Sequence, residues 1–168
     1  MSPLLARSPR KKTADARSEQ SLQFISFKVG DEQYATDILK IHEITTFREL
    51  TRVPSLPSFI KGVLDLKGLA VPVLDLREKF GLPLLPYTKF SVIMVVDVSG
   101  RVMGTIVDGV ADVLHVDRSD IQPAPKFSTT IKAEFIKGMI KRSDGNFIVL
   151  LDMDRMLSDR EIDMVESI

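Results

Sequence analysis

The stretch FIKGVLDLKGLAVPVLDLREKFG, residues 59–81, contains the features from which the fold can be predicted. Two short apolar segments flank Lys67-Gly68, which indicates two strands joined by a turn. The tetrapeptide FIKG recurs at residues 135–138, 76 positions further along the chain. An apolar run that ends in an aspartate follows each copy, at Asp75 and Asp152. The stretch therefore predicts β-structure and also predicts that this β-structure is repeated.

A second correspondence lies upstream of the two FIKG copies. ILKIHEI at 38–44 corresponds to VDGVADV at 107–113, and FISF at 24–27 corresponds to IMVV at 93–96, both with an offset of 69 residues. The second half-chain has about seven additional residues. This pattern indicates an old internal duplication. A unit of about 70 residues buries only some 60% of its unfolded surface, so we expect the two halves to share an interface.

Composition excludes several classes of protein. The 168 residues include no cysteine, which excludes disulfides, zinc–thiolate sites and thiol catalysis. No apolar run approaches the ~20 residues that span a bilayer, and the N-terminus lacks a secretory signal pattern. We therefore expect a cytoplasmic protein.

The N-terminal segment differs in charge from the rest of the chain. Residues 1–20 carry five basic and two acidic side chains, a net charge of +3, so the remainder carries −3. This polar segment has little periodicity, and we predict that residues 1–21 form a disordered basic tail before a domain at 22–168. A basic tail can contact nucleic acid or anionic lipid, although a merely solvated tail is the commoner case.

Most of the remaining chain is predicted to form strands with only short helices. Apolar or alternating segments are separated by turn signals at Gly30-Asp31, Ser99-Gly100 and Ser143-Asp144-Gly145. The pattern favours an all-β barrel or sandwich, with strands predicted at 22–29, 91–98 and 110–116 and on both sides of each turn signal.

Two sequences are typical of helix N-terminal capping boxes. Asp75 with Glu78 predicts a short helix that ends at Gly81, and Ser158 with Glu161 predicts a C-terminal helix. Asp152, the repeat mate of Asp75, lacks the acidic partner.

The sequence shows no recognisable constellation of catalytic residues. Asp75 and Asp152 invite comparison with an aspartic dyad, but helix capping explains Asp75 more simply. His42 and His115 lack metal-ligand spacing and are expected on the surface or on edge strands. No phosphate-binding loop or nucleophile elbow is present. With no tryptophan and two tyrosines, the chain also lacks the stacking platforms of single-strand nucleic-acid binders. We expect a binding or scaffold protein with no metal, no cofactor and no enzymatic activity.

Three ordered motifs, at residues 24–44, 59–81 and 101–125, together resemble the CheW family of bacterial chemotaxis coupling proteins. Residues 59–81 resemble the family pattern I-K-G-V-x-N-L-R-G-x-x-V-P-V-x-D-L-R-x-K-F. Residues 101–125 resemble its second-half signature, G-x-x-V-D-x-V-x-D-V followed by I-x-P-x-P, and residues 24–44 resemble its opening. The resemblance covers about 22–158 and leaves out the N-terminal tail.

The resemblance implies a fold of two intertwined five-stranded SH3-like β-barrels around a continuous core. In this fold each FIKG copy begins an equivalent strand, and its glycine permits a bulge or a close backbone approach. The alternative is that both glycines are incidental turn residues.

The resemblance also implies a non-catalytic scaffold with two partners. These are the regulatory domain of the histidine kinase CheA and the cytoplasmic tip of a methyl-accepting chemoreceptor, in arrays at the inner membrane. A receptor helix would suit a hydrophobic groove between the barrels. Neither nucleic acid nor direct membrane insertion is expected.

Five residues match positions of the family's receptor- and kinase-binding surface. Ile41 and Glu43 match a Val-x-Glu pair, and Gly62 matches a glycine of that surface. Asp65 and Lys67 replace the family Asn and Arg, which keeps the positive charge but loses the bidentate fork. The family implies an ion pair between Glu43 and Lys67. Ile41 is equally compatible with a core position.

Three other functions are less well supported by the sequence. The two replacements in the turn can indicate an adaptor of a non-flagellar chemosensory array that controls pili or second messengers. A CheV-type regulator is not expected, because the chain leaves no room for a receiver domain. A nucleic-acid-binding β-barrel that uses the basic tail is disfavoured by the few aromatic residues.

Overall fold

The computed structural model describes residues 21–124 and 131–168. The predicted tail lies outside the described residues except for Ser21, which already belongs to the first strand. The strands are β1 Ser21–Val29, β2 Glu32–Asp37, β3 Ile41–Thr46, β4 Ile60–Leu66, β5 Leu69–Asp75, β6 Val92–Val98, β7 Arg101–Val107, β8 Gly109–Asp117, β9 Ile121–Gln122, β10 Ile136–Lys141 and β11 Phe147–Leu151. The α-helices are α1 Leu76–Lys79 and α2 Asp159–Glu166, and single 3₁₀ turns span Ile38–Lys40, Arg118–Asp120, Ala133–Phe135 and Met153–Arg155.

The strands form two sheets, and each sheet combines strands from both halves of the chain. One sheet has the order β8-β1-β2-β11-β10-β9, and the other has the order β3-β6-β7-β5-β4. With the repeat offsets, β1 to β5 correspond to β6, β7, β8, β10 and β11. One sheet therefore joins the hairpin β1–β2 to β8, β10 and β11, and the other joins the hairpin β6–β7 to the corresponding strands β3, β4 and β5. Because β2 corresponds to β7 and β11 corresponds to β5, the parallel pairs β2–β11 and β5–β7 are equivalent.

The predicted SH3-like all-β fold is confirmed, with one addition. The six-stranded sheet has an extra strand, β9, beside β10. The corresponding place in the first half is a single bridge between Thr51 and Val63. The intertwining arises because the chain crosses from one sheet to the other after β2 and again after β7.

Three clusters of buried side chains explain why two sheets hold together. One small cluster joins Val116 of β8 to Ile140 of β10, although three strands separate them in sheet order, so the sheet curls around this cluster. A second small cluster, which includes Leu64, Val73 and Ile93, lies within the five-stranded sheet. The largest cluster draws on both sheets and forms the continuous core between them, with Phe27, Tyr34, Leu74, Met94 and Leu151 among its members.

The predicted hairpin turns are confirmed. Lys67 and Gly68 have φ values of 53° and 85°, and Ser99 and Gly100 have φ values of 51° and 82°. Positive φ at both central residues is the requirement of a type I′ turn, whose twist matches that of the flanking strands. The β4–β5 and β6–β7 hairpins are therefore defined by two residues each.

The capping box predicted at Asp75 is only half right. Asp75 Oδ1 accepts a hydrogen bond from the Arg77 amide at 2.9 Å, as a cap should. The Asp75 amide, however, donates to the Phe59 carbonyl oxygen at 2.8 Å, so it does not need Glu78 as a partner. Glu78 instead pairs with Lys61. The box at Ser158 is complete, with both reciprocal bonds to Glu161, at 2.9 Å and 3.1 Å.

Candidate functional site

The two FIKG copies occupy equivalent places, as predicted. The register of each strand shifts at the copy, between Ile60 and Gly62 in β4 and between Ile136 and Gly138 in β10. The carbonyl oxygen of each FIKG phenylalanine accepts from the amide of the repeat-related aspartate, at 2.8 Å in the first half and 2.9 Å in the second. FIKG is therefore the sequence of a β-bulge that also anchors the strand next to it.

Gly62 is required because another segment lies against it. Its φ is 152°, and a Cβ built on it would lie 2.5 Å from the carbonyl oxygen of Thr51. Thr51 and Val63 exchange two backbone hydrogen bonds of 3.0 Å and 2.7 Å, which hold this approach. Any side chain at position 62 must therefore displace the segment that joins β3 to β4.

Asp65 and Lys67 share the β4–β5 turn. Asp65 Oδ1 accepts from the Gly68 amide at 3.0 Å, so its carboxylate braces the turn. An asparagine oxygen can accept the same bond, so Asp in place of Asn retains the support of the turn. Lys67 is exposed at the tip, held in a left-handed conformation.

The ion pair predicted between Glu43 and Lys67 is wrong. Both residues lie in the described part of the chain, and no ion pair joins them. Glu43 lies on β3 and Lys67 on the β4–β5 turn, and these elements are at opposite ends of the strand order β3-β6-β7-β5-β4. The positive charge of Lys67 is therefore available to a partner.

Ile41 lies both at the core and at the edge of a sheet. It is half-buried and packs against the largest core cluster. Its strand, β3, is an edge strand with a register shift between Ile41 and Glu43, and Ile44 on the same strand is exposed. Ile41 therefore supports the core, and its role in an interface stays a prediction.

The five predicted site residues thus form two groups on the five-stranded sheet. Ile41 and Glu43 belong to the β3 edge, and Gly62, Asp65 and Lys67 belong to the β4 edge. The segment 47–59 connects the two edges.

Both histidines lie on edge strands, as predicted. His42 is on β3, 3.5 Å from a carboxylate oxygen of Asp97, and His115 is on β8 beside Gln23. Among residues 21–124 and 131–168, no group of three or more acidic, histidine or cysteine side chains is placed to hold a metal ion.

Two ion pairs at the crossings between the sheets were not predicted. Arg77 Nη2 lies 2.5 Å from Asp108 Oδ2, and Lys40 Nζ lies 2.8 Å from Asp154 Oδ2. The hydrogen bond between Lys40 and Asp154 raises the pKa of the Lys40 ammonium and lowers the pKa of the Asp154 carboxyl. We call these pairs the first pin (Arg77–Asp108) and the second pin (Lys40–Asp154). Oppositely charged residues are too common in sequence for either pin to have been found there.

The segment between α1 and β6 was also missed. We call residues 82–90 the strap; apart from the half-buried Leu82, its residues are exposed, among them Leu84, Leu85 and Phe90. Tyr87 anchors it, since its hydroxyl donates to Asp75 Oδ2 at 2.8 Å and its ring lies 4.4 Å from the ring of Phe47.

Two surface depressions differ in chemical character. One of about 830 Å³ lies beside α2 and is lined by side chains of both signs, among them Lys132, Glu134, Arg155 and Glu161. A second, of about 420 Å³, lies between the start of β1, the 3₁₀ turn Ile38–Lys40 and β8. Its lining is mixed: Leu22, Ile38 and Leu39 are apolar, and Ser21, Gln23, Asp37 and His115 are polar. Leu39 is 87% exposed. We call the second depression the β1–β8 groove.

None of the helices in the described part of the chain has the length and apolar character needed to cross a membrane.

Comparison with known proteins agrees with this geometry. Residues 23–161 match the family model of the CheW-like domain. The chemotaxis protein CheW of Klebsiella aerogenes is 38% identical over 146 residues, which cover 87% of each chain. That of Rhizobium meliloti is 32% identical over 139 residues, 83% of this chain and 89% of the relative. The crystal structure of the scaffolding protein CheW of Thermoanaerobacter tengcongensis superposes with a TM-score of 0.77 at 31% identity, over 83% of this chain and 94% of the other.

Proposed function

This chain belongs to the CheW-like family, and we propose that it acts without catalysis as the adaptor between chemoreceptors and the histidine kinase CheA. A coupling and scaffolding role in chemotaxis follows from its family. The finer proposal names the partners, which are the regulatory domain of CheA and the cytoplasmic tip of a methyl-accepting receptor, in arrays at the inner membrane. An adaptor that favours one receptor state and one kinase state makes each equilibrium depend on the other.

The observation that supports a kinase-binding surface best is the geometry of the β4 edge. The type I′ turn holds Lys67 exposed, and Asp65 braces the turn. Gly62, on the strand that leads into this turn, lies in a buried bulge that cannot accept a side chain. Because the turn is already ordered, its backbone loses little conformational entropy on binding, and the cation steers an acidic partner surface into register.

The β1–β8 groove supports a receptor-binding surface. Leu22, Ile38 and Leu39 provide the apolar part of its lining, and the groove lies where the chain crosses between the sheets after β2. An amphipathic helix binds such a groove through residues at i, i+3, i+4 and i+7. Leu39, almost fully exposed in the free protein, would be covered by the helix.

The test is kinase activation in reconstituted receptor arrays with Lys67→Glu. We expect the native chain to activate CheA and the variant to bind its regulatory domain at least about tenfold more weakly, because like charges then face each other. Lys141→Glu is the matched control, since Lys141 is an exposed lysine at the corresponding hairpin of the other sheet. Because Glu43 and Lys67 are not paired, the double variant with Glu43→Lys should not recover binding.

The outcomes separate the alternatives. Native protein that binds neither CheA nor a receptor tip would contradict the adaptor proposal for the flagellar system, and activation of another kinase would favour a non-flagellar array. Unchanged binding by Lys67→Glu would show that the β4 edge is not the contact surface. Hydrolysis or transfer chemistry by the purified chain would contradict the non-catalytic role.

A further inference from the structure

We infer that Tyr87 is a positioning residue for the proposed kinase-binding surface, because it holds the segment that lies against Gly62. The inference rests on the proposed function, but Tyr87 is 25 positions from Gly62 in sequence and belongs to none of the motifs that indicated the site. Three consecutive contacts carry it.

The first contact lies at the bulge. Thr51 is bonded to Val63 in both directions, and its carbonyl oxygen occupies the space that a side chain at position 62 would need. The position of Thr51 therefore determines the shape of the surface around Gly62. Thr51 itself is outside any named strand, so its position depends on what holds the segment on either side.

The second contact lies at the start of that segment. The Phe47 amide donates to the Ser91 carbonyl oxygen at 3.1 Å, and the Phe47 ring packs against the Tyr87 ring with centroids 4.4 Å apart and planes at 30°. Phe47 also packs against the small core cluster of the five-stranded sheet. The strap thus clamps the first residue of the segment that reaches Thr51.

The third contact secures Tyr87. Its hydroxyl donates to Asp75 Oδ2 at 2.8 Å, while Oδ1 of the same carboxylate caps α1. Asp75 is buried, so the acceptor side of this bond is shielded from water, and the bond as a whole is partly buried. Burial and the neighbouring carboxylate both raise the pKa of the Tyr87 hydroxyl, so it stays a donor at neutral pH.

The second half of the chain is a natural comparison. Asp152 takes the place of Asp75 and caps the 3₁₀ turn Met153–Arg155 through Oδ1. Its Oδ2 faces Arg155 at 3.7 Å, and that arginine is mostly exposed. Oδ2 of the repeated aspartate thus accepts a hydrogen bond from Tyr87 in the first half, whereas in the second half it only faces the exposed Arg155.

The experiment compares Tyr87→Phe, which removes only the hydroxyl, with Tyr87→Leu, which also removes the ring contact. Arg155→Gln is the matched control, since it removes the partner of the equivalent aspartate. Each full-length variant is studied by amide hydrogen exchange and by calorimetric titration with the CheA regulatory domain, at a temperature where circular dichroism shows it folded.

We expect Tyr87→Phe to speed exchange at the Thr51 and Val63 amides and to weaken kinase binding, each about two- to tenfold, as for one lost hydrogen bond. Tyr87→Leu should have a larger effect, and exchange in the six-stranded sheet should not change. Tyr87→Phe should retain most of the binding that Tyr87→Leu loses.

Two outcomes would overturn the inference. One is native exchange at Thr51 and Val63 in Tyr87→Leu, and the other is local opening of these amides with native affinity for the kinase domain. If the native chain itself fails to bind the kinase domain, the proposed function is wrong, and the exchange data still decide whether Tyr87 holds the segment.

Discussion

The two crossings between the sheets are built alike, but the acid and the base exchange places. The acid lies on the connection between the sheets at the first pin and after the last strand of its half at the second. At the first pin, Asp108 lies on the β7–β8 connection and accepts from the amide of Gly30 at 2.6 Å, while its cation, Arg77, follows β5. At the second pin the acid, Asp154, follows β11 and accepts from the amide of Ser99 at 2.9 Å. Its cation, Lys40, lies on the β2–β3 connection. Gly30 and Ser99 correspond in the repeat, as do Arg77 and Asp154.

The difference teaches how a duplicated chain distinguishes its halves. Pairing the first half with the second brings Arg77 to Asp108 and Asp154 to Lys40. Pairing two copies of the first half by the same geometry would bring Arg77 to a connection that carries Lys40. Two copies of the second half would bring Asp154 to one that carries Asp108. Like charges placed together oppose association, so the charge reversal favours the pairing that the structure shows.

The pins also differ in burial, and the prediction with the largest expected effect on stability follows from this difference. The Arg77 side chain is 13% exposed, against 34% for Lys40. Arg77→Glu should lower the free energy of unfolding by about 2–4 kcal/mol, because it sets a second acid beside Asp108 at a position where the side chain is only 13% exposed. Urea unfolding measures the change, and Asp108→Arg added to Arg77→Glu should recover part of it. A variant as stable as the native protein would show that the first pin contributes nothing.

A second prediction compares equivalent backbone contacts in the two sheets. Gly104 and Ala35 correspond, and each faces the parallel strand, at Val73 and Leu150 respectively. A Cβ on Gly104 would lie 2.9 Å from Val73 Cγ2 and 3.0 Å from Ile93 Cγ2. Gly104→Ala should therefore cost about 1–3 kcal/mol by overpacking.

The reverse change, Ala35→Gly, is the matched control for that contact. It should cost about 1 kcal/mol, through backbone entropy and a lost methyl group. Thermal unfolding compares the two variants, and a stabilised Gly104→Ala protein would mean that the five-stranded sheet is as open at this place as the other.

A third prediction concerns the exposed pin. Lys40→Gln removes the cation but leaves Asp154 its bond from Ser99 and access to water. The expected loss of stability is about 0–1 kcal/mol, the usual range for exposed pairs. A loss as large as that of Arg77→Glu would contradict the ranking of the two pins by burial.

The smallest expected effect is the pH dependence of the second pin. The bond to Lys40 depresses the pKa of Asp154 below its ordinary value of 3.8, so its contribution is present above that pH and is lost as pH falls through the folded-state value. The stability difference between the native protein and Asp154→Asn should shrink as the pH falls from 7 to 3. A difference that grows toward low pH would show that Asp154 is destabilising when charged.

Much of the first-order architecture could be predicted from local sequence. Lys67-Gly68 and Ser99-Gly100 are turns because their neighbours on both sides are strand formers, and Ser158 with Glu161 is a complete capping box. Glu78 shows the limit of such reasoning. The Asp75 amide is already bonded to the carbonyl oxygen of Phe59, just before β4, so Glu78 pairs with Lys61 instead.

The candidate site divides in the same way. Gly62 and the Asp65–Lys67 turn could be located in the sequence because the bulge and the turn are made by consecutive residues. The Glu43–Lys67 pair could not be judged there, since it depends on the distance between two edge strands. Tyr87 could not be found at all, because a tyrosine in an exposed segment has no periodic or spacing signal.

The sequence by itself determined the duplication, the strand-rich halves, their turns and caps, and the family, since these depend on contacts within a few residues or on repeated order. Only the tertiary structure decided which half supplies each strand, where the pins lie, and what holds the segment against Gly62. The physical reason is that charges and aromatic rings act over a few ångströms in space, whatever their separation along the chain. Lys40 and Asp154, 114 residues apart, become neighbours only when both sheets have formed.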